Sequence, residues 1–295
     1  MVGIVDPISV GNLDRSEMTA PQLAVGSTPP AMHRDRYVFD NSAVQAAVRF
    51  RSLAAVFDPG TVRHLTEIGV NHGWKCLEIG AGGGTVAGWL CDRVGAQGHV
   101  IATDIDTRFL KSLSKTNLDV CQHDIAVDPL PEAAFDLIHV RLVLVHLRER
   151  DRVLSHIVSA LKPGGWLLAE EFDSLSLQAD PAISPTEIHI KALSAMERLM
   201  ANRGVDSLYG RRLSARVRSL GLVNMTAEGR MFMWEGRSIG AGLFRASLEQ
   251  ARSEMIQLGL ITESEFERDI RLLDDNELLI PSPTMWAVSG RRPSV

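Results

Sequence analysis

The stretch Leu77-Glu78-Ile79-Gly80-Ala81-Gly82-Gly83-Gly84-Thr85 joins a short apolar run to a group of glycines and then to a helical pattern. Glycine allows the backbone to turn sharply and to approach a ligand closely, because it has no Cβ. The helix that follows presents free N–H groups to negative charge. This order of strand, turn and helix predicts a ligand-binding loop at the edge of a parallel sheet.

Further apolar runs alternate with helical patterns along the chain. Five short runs are predicted strands, at 74–79, 99–103, 118–121, 135–140 and 166–170. Helices are predicted at 86–94, 107–113 and 152–161, and the run at 135–140 continues into 141–147. Near-continuous apolar strands separated by helices indicate a parallel sheet covered on both faces, and right-handed crossovers make it doubly wound. Two later runs, 222–233 and 284–289, predict two more strands, so the expected fold class is α/β with seven strands.

The rest of the chain is predicted to surround this sheet domain, which we place at 66–292. Residues 1–32 form a tail rich in Pro, Gly, Ser and Thr, and 33–65 form a cover of two helices broken at Asp58-Pro59-Gly60. Lid insertions are expected at about 174–221 and 236–280. Two capping boxes predict helix starts within them, Ser184 with Glu187 and Thr262 with Glu265.

Two aspartates follow the second and third predicted strands. Asp104 lies twenty positions beyond Gly84, where a carboxylate can accept both hydroxyls of a ribose. Asp124 is placed to accept from the exocyclic amine of an adenine. An alternative keeps these residues as ordinary tight turns, with Asp104 and Asp106 capping a helix. The sequence favours a nucleotide site, because all these signals fall at the carboxyl edge of the sheet.

The pattern Gly82-x-Gly84-x-x-Ala87 also satisfies the dinucleotide fingerprint, so an NAD-dependent oxidoreductase is an alternative function. Two observations count against it. The acid Glu78 precedes the turn and suits a ligand with an ammonium group better than a pyrophosphate. The two tyrosines, Tyr37 and Tyr209, have no Lys four positions on, so the Tyr and Lys pair of short-chain dehydrogenases is missing.

Composition limits the partners. The 295 residues are 45% hydrophobic and 23% charged, which is typical of a soluble globular protein. With 31 Lys and Arg against 36 Asp and Glu, the net charge of -5 gives no basic footprint for nucleic acid. No apolar run approaches the ~18 residues of a membrane span. Three scattered cysteines without a Cys-x-x-Cys motif predict no metal site and a reduced, cytoplasmic protein.

Several motifs, in order, resemble those of class I S-adenosylmethionine-dependent methyltransferases. They are residues 77–85, Asp104, the turn at Asp124, 135–139 and 161–165. The resemblance covers about 70–173, and 285–292 resembles the antiparallel final strand of that family. It implies a Rossmann-like sheet. Within the family, 140–147 resembles the small-molecule methyltransferases of bacterial secondary metabolism and quinone pathways.

The resemblance implies S-adenosylmethionine as cofactor and S-adenosylhomocysteine as product. The methionine part of the cofactor is implied to contact Glu78 and the loop backbone at Gly80, Ala81, Gly82 and Gly84. The nucleoside part is implied to contact Asp104, Ile105, Asp124 and Ile125, and Arg141 is implied to begin the loop beneath the sulfonium. The activity implied is methyl transfer to an O, N or C atom.

His146 and Glu171 follow the fourth and fifth strands, where a general base would lie, although each can equally serve the local structure. Lid residues predict a small, apolar or aromatic acceptor; the substrate candidates are Tyr37, Phe232, Trp234 and Phe244. A further alternative is a fold that binds the cofactor without methylating, as a cyclase or a partner subunit. Apolar lid helices would also suit a homodimer.

Overall fold

The computed structural model describes residues 38–39, 44–177 and 190–294. The helices in this part of the chain are α1 Val44–Ile68, α2 Thr85–Val94, α3 Arg150–Ala160, α4 Lys191–Asn202, α5 Gly210–Ser219, α6 Ile239–Gln257 and α7 Glu263–Leu272. The strands are β1 Lys75–Ile79, β2 His99–Asp104, β3 Leu118–Gln122, β4 Phe135–Arg141, β5 Leu161–Asp173, β6 Val223–Arg230, β7 Met233–Glu235, β8 Leu279–Pro281 and β9 Thr284–Arg291. Short 3-10 helices occur at Thr107–Phe109, Leu144–His146 and Ser174–Leu177.

Seven strands form the main sheet in the order β3-β2-β1-β4-β5-β9-β6. β9 pairs antiparallel with both β5 and β6, whereas β1 to β5 pair parallel with their neighbours. The chain order reverses between β1 and β4, which is the point where open α/β sheets bind ligands. The predicted α/β fold class, with an antiparallel last strand, is confirmed.

The sheet is covered on both faces, as its apolar strands predict. One face carries Cys76, Leu137 and Leu168 and packs against α2 and the end of α1. The opposite face carries Leu77, Ile138 and Leu167, because successive side chains of a strand alternate between faces. This face packs against α3, α4 and α5. Helices from three separate stretches then meet over the carboxyl ends of the strands, because α6 packs against both α1 and α4.

The prediction of two helices before the sheet is wrong in the part that the structure describes. α1 continues from Val44 to Ile68 with Pro59 inside it. Proline within a helix costs about 3 kcal/mol through a lost hydrogen bond and a clash. Bonds from the same turn to the sheet offset this: Asp58 pairs with Arg141 at 2.7 Å, and Thr61 donates to Glu170 at 2.5 Å.

Three other predicted elements differ in extent. The segment 107–113 holds only the 3-10 turn Thr107–Phe109, and 141–147 holds the last residue of β4 and the turn Leu144–His146. The run 222–233 divides, because β7 leaves the main sheet and pairs with β8. The capping box of Thr262 and Glu265 is present at the start of α7. The predicted helix start at Ser184 lies outside the described residues.

Candidate active site

A cavity of about 290 Å³ opens at the carboxyl ends of β1, β2 and β4. Its volume is close to the lower limit of typical small-molecule sites, ~300 to 1,000 Å³. The glycine loop after β1 forms one side, and residues of α1, α4 and α6 form the other. The switch point of the sheet, between β1 and β4, is therefore covered by α1, which precedes the sheet, and by α4 and α6, which follow β5.

The glycine loop has a conformation that other residues rarely adopt. Gly80 and Gly84 have φ angles of 68° and 77°. A Cβ on Gly80 would lie 2.3 Å from Val143 Cγ2, and a Cβ on Gly84 would lie 2.3 Å from Leu113 Cδ1. Gly80 borders the cavity, whereas Gly84 does not; Gly83 and Thr85 border it instead. Gly84 therefore packs against Leu113 at the back of the loop, and its contact with the cofactor stays a prediction.

Asp104 closes β2 and borders the cavity with only 9% of its surface exposed. Its Oδ2 accepts the N–H of Gly82 at 2.9 Å, and its Oδ1 accepts the N–H of Asp106 at 3.0 Å. Burial raises the pKa of this carboxyl, and the backbone N–H bonds oppose that rise. Each oxygen keeps a second lone pair, so the pair of hydroxyls of a ribose can still donate to it.

Asp106 has a different role from Asp104. Its carboxylate accepts the N–H of Arg108, which caps the 3-10 turn, and it also pairs with the guanidinium of that residue. This pairing lowers the pKa of Asp106. Asp106 is absent from the cavity wall. The alternative that both aspartates serve only as caps therefore fits Asp106 and does not fit Asp104.

The predicted adenine contacts lie together on the same side of the cavity. Ile105, Asp124 and Ile125 all border it. The Oδ1 of Asp124 accepts the N–H of Ala126 at 2.9 Å, which fixes the carboxylate at the turn after β3. Two aliphatic side chains beside a fixed acceptor are suited to a flat, apolar ring that carries an amine.

Glu78 and Arg141 also border the cavity, on neighbouring strands. Glu78 is 4% exposed, and its Oε2 lies 2.7 Å from Nδ1 of His139. The guanidinium of Arg141 is engaged with α1, since it bonds Asp58 at 2.7 Å and Thr61 at 2.8 Å. Arg141 therefore begins the loop after β4, as predicted, with its charge directed to the helix.

The side of the cavity away from the sheet is apolar. Two of the predicted acceptor residues, Trp234 and Phe244, border it with their rings 4.9 Å apart and 68° from parallel. Phe232 does not border it; its N–H donates to the Oγ of Ser282. Tyr37 lies outside the described residues. Of the predicted acceptor residues within the described part of the chain, Trp234 and Phe244 therefore border the cavity.

Residues 77–169 match a protein-family model described as a methyltransferase domain. The chain is 33% identical over 156 residues to methyltransferase str2 of Strobilurus tenacellus, covering 50% of this chain and 53% of that protein. It is 35% identical over 149 residues to the ubiquinone/menaquinone biosynthesis C-methyltransferase UbiE of Laribacter hongkongensis, covering 48% of this chain and 60% of that protein. Over these residues the chain is therefore similar to methyltransferases. The matches span little more than half the length of these relatives.

Solved structures share the fold of this methyltransferase domain. Phosphoethanolamine N-methyltransferase 2 of Haemonchus contortus, in complex with phosphomonomethylethanolamine and S-adenosylhomocysteine, superposes with a TM-score of 0.55 at 15% identity, covering 88% of this chain and 60% of that one. A putative methyltransferase from Bacillus halodurans superposes with a TM-score of 0.51 at 15% identity, covering 78% and 98%. At this identity the likeness concerns the fold alone.

The two predicted catalytic residues have different surroundings. Glu171 is fully buried and absent from the cavity wall, and it accepts the N–H groups of Val143, Leu144 and Val145 at 2.7 to 3.3 Å. Its carboxylate has no access to an acceptor in the cavity, so the prediction of a base at this position disagrees with the geometry. Burial raises the pKa of Glu171 to about 8, against the effect of these N–H groups.

His146 does border the cavity, with 9% of its surface exposed. Burial, and then the charges of Arg49 and Arg150, lower its pKa to about 3. The imidazole is therefore neutral at physiological pH and weakly basic. Such a ring can hydrogen-bond and orient an acceptor, but it holds an abstracted proton poorly.

Several residues that border the cavity are absent from the sequence predictions. Met196, Glu197 and Met200 of α4 border the cavity, as do Phe50 and Phe57 of α1. Glu197 makes no hydrogen bond or ion pair within the described part of the chain, whereas most other lid carboxylates are paired. Helical spacing could have marked α4 as amphipathic, but it does not tell which edge of the helix faces a cavity.

Proposed function

We propose that this protein transfers the methyl group of S-adenosylmethionine to an O, N or C atom of a small, apolar or aromatic metabolite. The observation that carries the proposal is the single cavity that joins the loop and acids of the sheet edge to apolar walls from α1, α4 and α6. A cofactor and an acceptor can therefore meet in one enclosed space, which direct methyl transfer requires.

The residues at the sheet edge suit the polar parts of the cofactor. Three acids border the cavity. Glu78 is the residue before the last of β1, Asp104 is the last of β2, and Asp124 lies in the turn after β3. The Oε1 of Glu78 receives no hydrogen bond from the described residues, so it can accept from the amine of the methionine part. Asp104 would hold the ribose and Asp124 the adenine amine. When bound, the cofactor supplies a methyl group that is already activated as a sulfonium.

The acceptor side indicates an apolar substrate. Its walls are formed by aromatic and aliphatic side chains with few polar groups, namely Leu193, Met196, Met200, Trp234, Leu243, Phe244 and Leu248. Burial of an apolar molecule there is favoured by ~25 cal/mol per Å² of surface removed from water. The similarity to an enzyme of ubiquinone and menaquinone biosynthesis supports an acceptor of this kind.

The main catalytic contribution is alignment of the acceptor atom with the methyl–sulfur bond. Proximity and orientation can supply about 7–11 kcal/mol at best. Where the acceptor must lose a proton, we assign the base to Glu197, which borders the apolar half and has a carboxylate without a partner among the described residues. We assign to His146 the orientation of the acceptor, because its imidazole is neutral and weakly basic.

Calorimetry and isotope transfer together test the proposal. The protein is titrated with S-adenosylhomocysteine and, separately, with NADH; we expect binding of the first alone. It is then incubated with S-adenosylmethionine carrying a ¹³C-methyl group and with two metabolite pools, one apolar and one polar. Mass spectrometry should find the label in the apolar pool.

Each contrary result has a distinct meaning. Binding of NADH without binding of S-adenosylhomocysteine would replace the methyltransferase with an oxidoreductase. Label found in the polar pool alone would overturn the substrate class. Binding of S-adenosylhomocysteine with no label in either pool would favour a cyclase or a partner subunit.

A further inference from the structure

Behind the cofactor side of the cavity, buried polar side chains run from Glu78 across the sheet. Glu78 of β1 lies directly opposite His139 of β4, and Arg141 of β4 lies opposite Glu170 of β5. Alternate residues of a strand share a face, so all four point to the same side of the sheet. His139 Nδ1 lies 2.7 Å from Glu78 Oε2, and its Nε2 lies 3.1 Å from Glu170 Oε2.

His139 lies between two carboxylates, with one within hydrogen-bond distance of each ring nitrogen. A doubly protonated imidazole can donate to both, because each of its nitrogens carries a proton. Burial lowers the pKa of His139, but the charge of Glu78 and the bonds to both acids outweigh it and raise the pKa to about 9. His139 is fully buried, with Glu78 and Glu170 4% and 3% exposed. Charge-assisted hydrogen bonds in such surroundings are strong.

The same network continues from Glu170 to helix α1. Thr61 donates its hydroxyl to Glu170 Oε2 at 2.5 Å and accepts from Arg141 Nη1 at 2.8 Å. The second nitrogen of Arg141, Nη2, lies 2.7 Å from Asp58 Oδ1. Thr61 and Asp58 thus fasten the middle of α1 to β4 and β5. Glu78 lies on β1, which pairs with β4.

Two turns earlier, α1 covers the glycine loop. Phe50 borders the cavity, and a Cβ on Gly82 would lie only 2.9 Å from its Cε1. The ring of Phe50 also packs edge to face against Phe109, 5.0 Å away, beyond β2. Helix α1 therefore contacts the glycine loop through Phe50 and the buried network through Asp58 and Thr61.

We infer that His139 is a positioning residue that aims Glu78 at the cofactor amine and couples occupancy of the cofactor site to the docking of α1 through Glu170 and Thr61. The inference rests on the proposed cofactor site. The imidazolium holds one oxygen of Glu78, which leaves the other for the ligand. A neutral residue in its place leaves two buried carboxylates without the group that lies between them.

Two ligands separate this role from a merely structural one. S-Adenosylhomocysteine carries the amino acid part that Glu78 would hold, whereas 5′-methylthioadenosine has the same nucleoside without it. For His139→Gln we expect S-adenosylhomocysteine to bind about tenfold or more weakly, since charged hydrogen bonds are lost. We expect the dissociation constant of 5′-methylthioadenosine to match that of the wild type.

Three results would overturn the inference. Equal weakening of both ligands would show that His139 only supports the fold, and unchanged affinity for S-adenosylhomocysteine would show that it does not position Glu78. In both cases the wild type still binds, and the proposed cofactor site stands. A wild type that binds neither ligand would overturn the proposed function together with the inference.

The coupling to α1 is tested with Thr61→Val, which keeps the shape of the side chain and removes the hydroxyl. Its matched control is Thr66→Val on the same helix, where the hydroxyl is exposed and bonds only to the Val62 carbonyl at 2.7 Å. We expect S-adenosylhomocysteine to slow amide exchange in 44–68 of the wild type and of Thr66→Val. In Thr61→Val this protection should be lost, with affinity about three- to tenfold weaker.

This second measurement is independent of whether His139→Gln folds. Undiminished protection of α1 in Thr61→Val would overturn the coupling. Loss of protection in Thr66→Val as well would do the same, because the effect would then belong to any threonine of the helix.

Discussion

The two halves of the cavity are built in different ways. The cofactor half comes from one continuous stretch, from Glu78 to Ile125, and its polar groups are fixed by backbone bonds such as that from Gly82 to Asp104. The acceptor half is assembled from α1, α4, β7 and α6, which are far apart in sequence, and its walls are mainly apolar side chains. One half is defined by backbone geometry and charge, and the other by side-chain volume.

This difference explains what a sequence can predict. A turn that needs glycine, or an acid at the end of a strand, leaves a signal at one position, because local geometry demands it. An apolar wall can be formed by many different side chains of similar size, so no single position in the sequence identifies it. Substitutions in the first half should therefore change cofactor affinity, and substitutions in the second should change the acceptor alone.

The largest effect is expected at Asp104. In Asp104→Ala the hydroxyls of the ribose lose a charged acceptor, and we expect the affinity for S-adenosylhomocysteine to fall by more than about 100-fold. Calorimetry measures this directly. Asp106→Ala is the matched control, because Asp106 does not border the cavity, and its affinity should stay close to that of the wild type. An Asp104→Ala protein that binds as tightly as Asp106→Ala would mean that the ribose lies elsewhere.

Glu197 and His146 provide the next contrast, within the acceptor half. For an acceptor that loses a proton, Glu197→Gln should lower kcat by about 100-fold, which is the scale of a general base. His146→Gln keeps a hydrogen-bonding group and should lower kcat by less than about tenfold, since its imidazole is not the base. Initial rates with labelled cofactor measure both. The reverse order of the two effects would move the base to His146.

Met196 tests whether the two halves are independent. Met196→Gln places an amide in the apolar wall, and burial of an unpaired amide costs about 1–3 kcal/mol, so KM for an apolar acceptor should rise about tenfold or more. The affinity for S-adenosylhomocysteine should not change. Met233→Gln is the matched control, because Met233 is 55% exposed and lies away from the cavity. Loss of cofactor affinity in Met196→Gln alone would show that the halves are coupled.

The outcome of the sequence predictions follows the same division. The alternation of strands and helices, the loop at Gly80 and the acid at Asp104 were predictable, because each is a local requirement of a parallel sheet with a ligand at its edge. Spacing does not tell whether the missing Cβ of a glycine faces a ligand or a neighbour, and at Gly84 it faces Leu113.

Other features of the site cannot be predicted without the register of the sheet or contacts between residues that are distant in sequence. Glu170 and Glu171 are adjacent in sequence but point to opposite faces of β5, one toward His139 and the other toward the loop after β4. No property of the sequence alone distinguishes them. The continuous helix through Pro59 likewise depends on bonds to Arg141 and Glu170, which are remote in sequence.

A pH dependence of stability assigns roles to the buried acids. The pKa of Glu171 is about 8 in the folded protein, against 4.5 when exposed. Between these values the folded protein holds a proton that the unfolded chain has released, so stability is greatest below about pH 4.5 and is lost as the pH rises to 8. The slope for one such group is at most about 1.4 kcal/mol per pH unit.

Urea unfolding at several pH values measures this slope, and Glu171→Gln should remove it between about pH 4.5 and 8. His139 supplies the comparison, because its raised pKa gives a loss of stability in a later window, from 6.5 to about 9. The two windows overlap between 6.5 and about 8, so the variants are compared outside that range. Glu171→Gln should flatten the profile below pH 6.5, and His139→Gln should flatten it between about pH 8 and 9. If each variant changed the profile in both of these outer ranges, Glu171 and His139 would titrate as one unit, and the acid beneath the loop would belong to the network that holds Glu78.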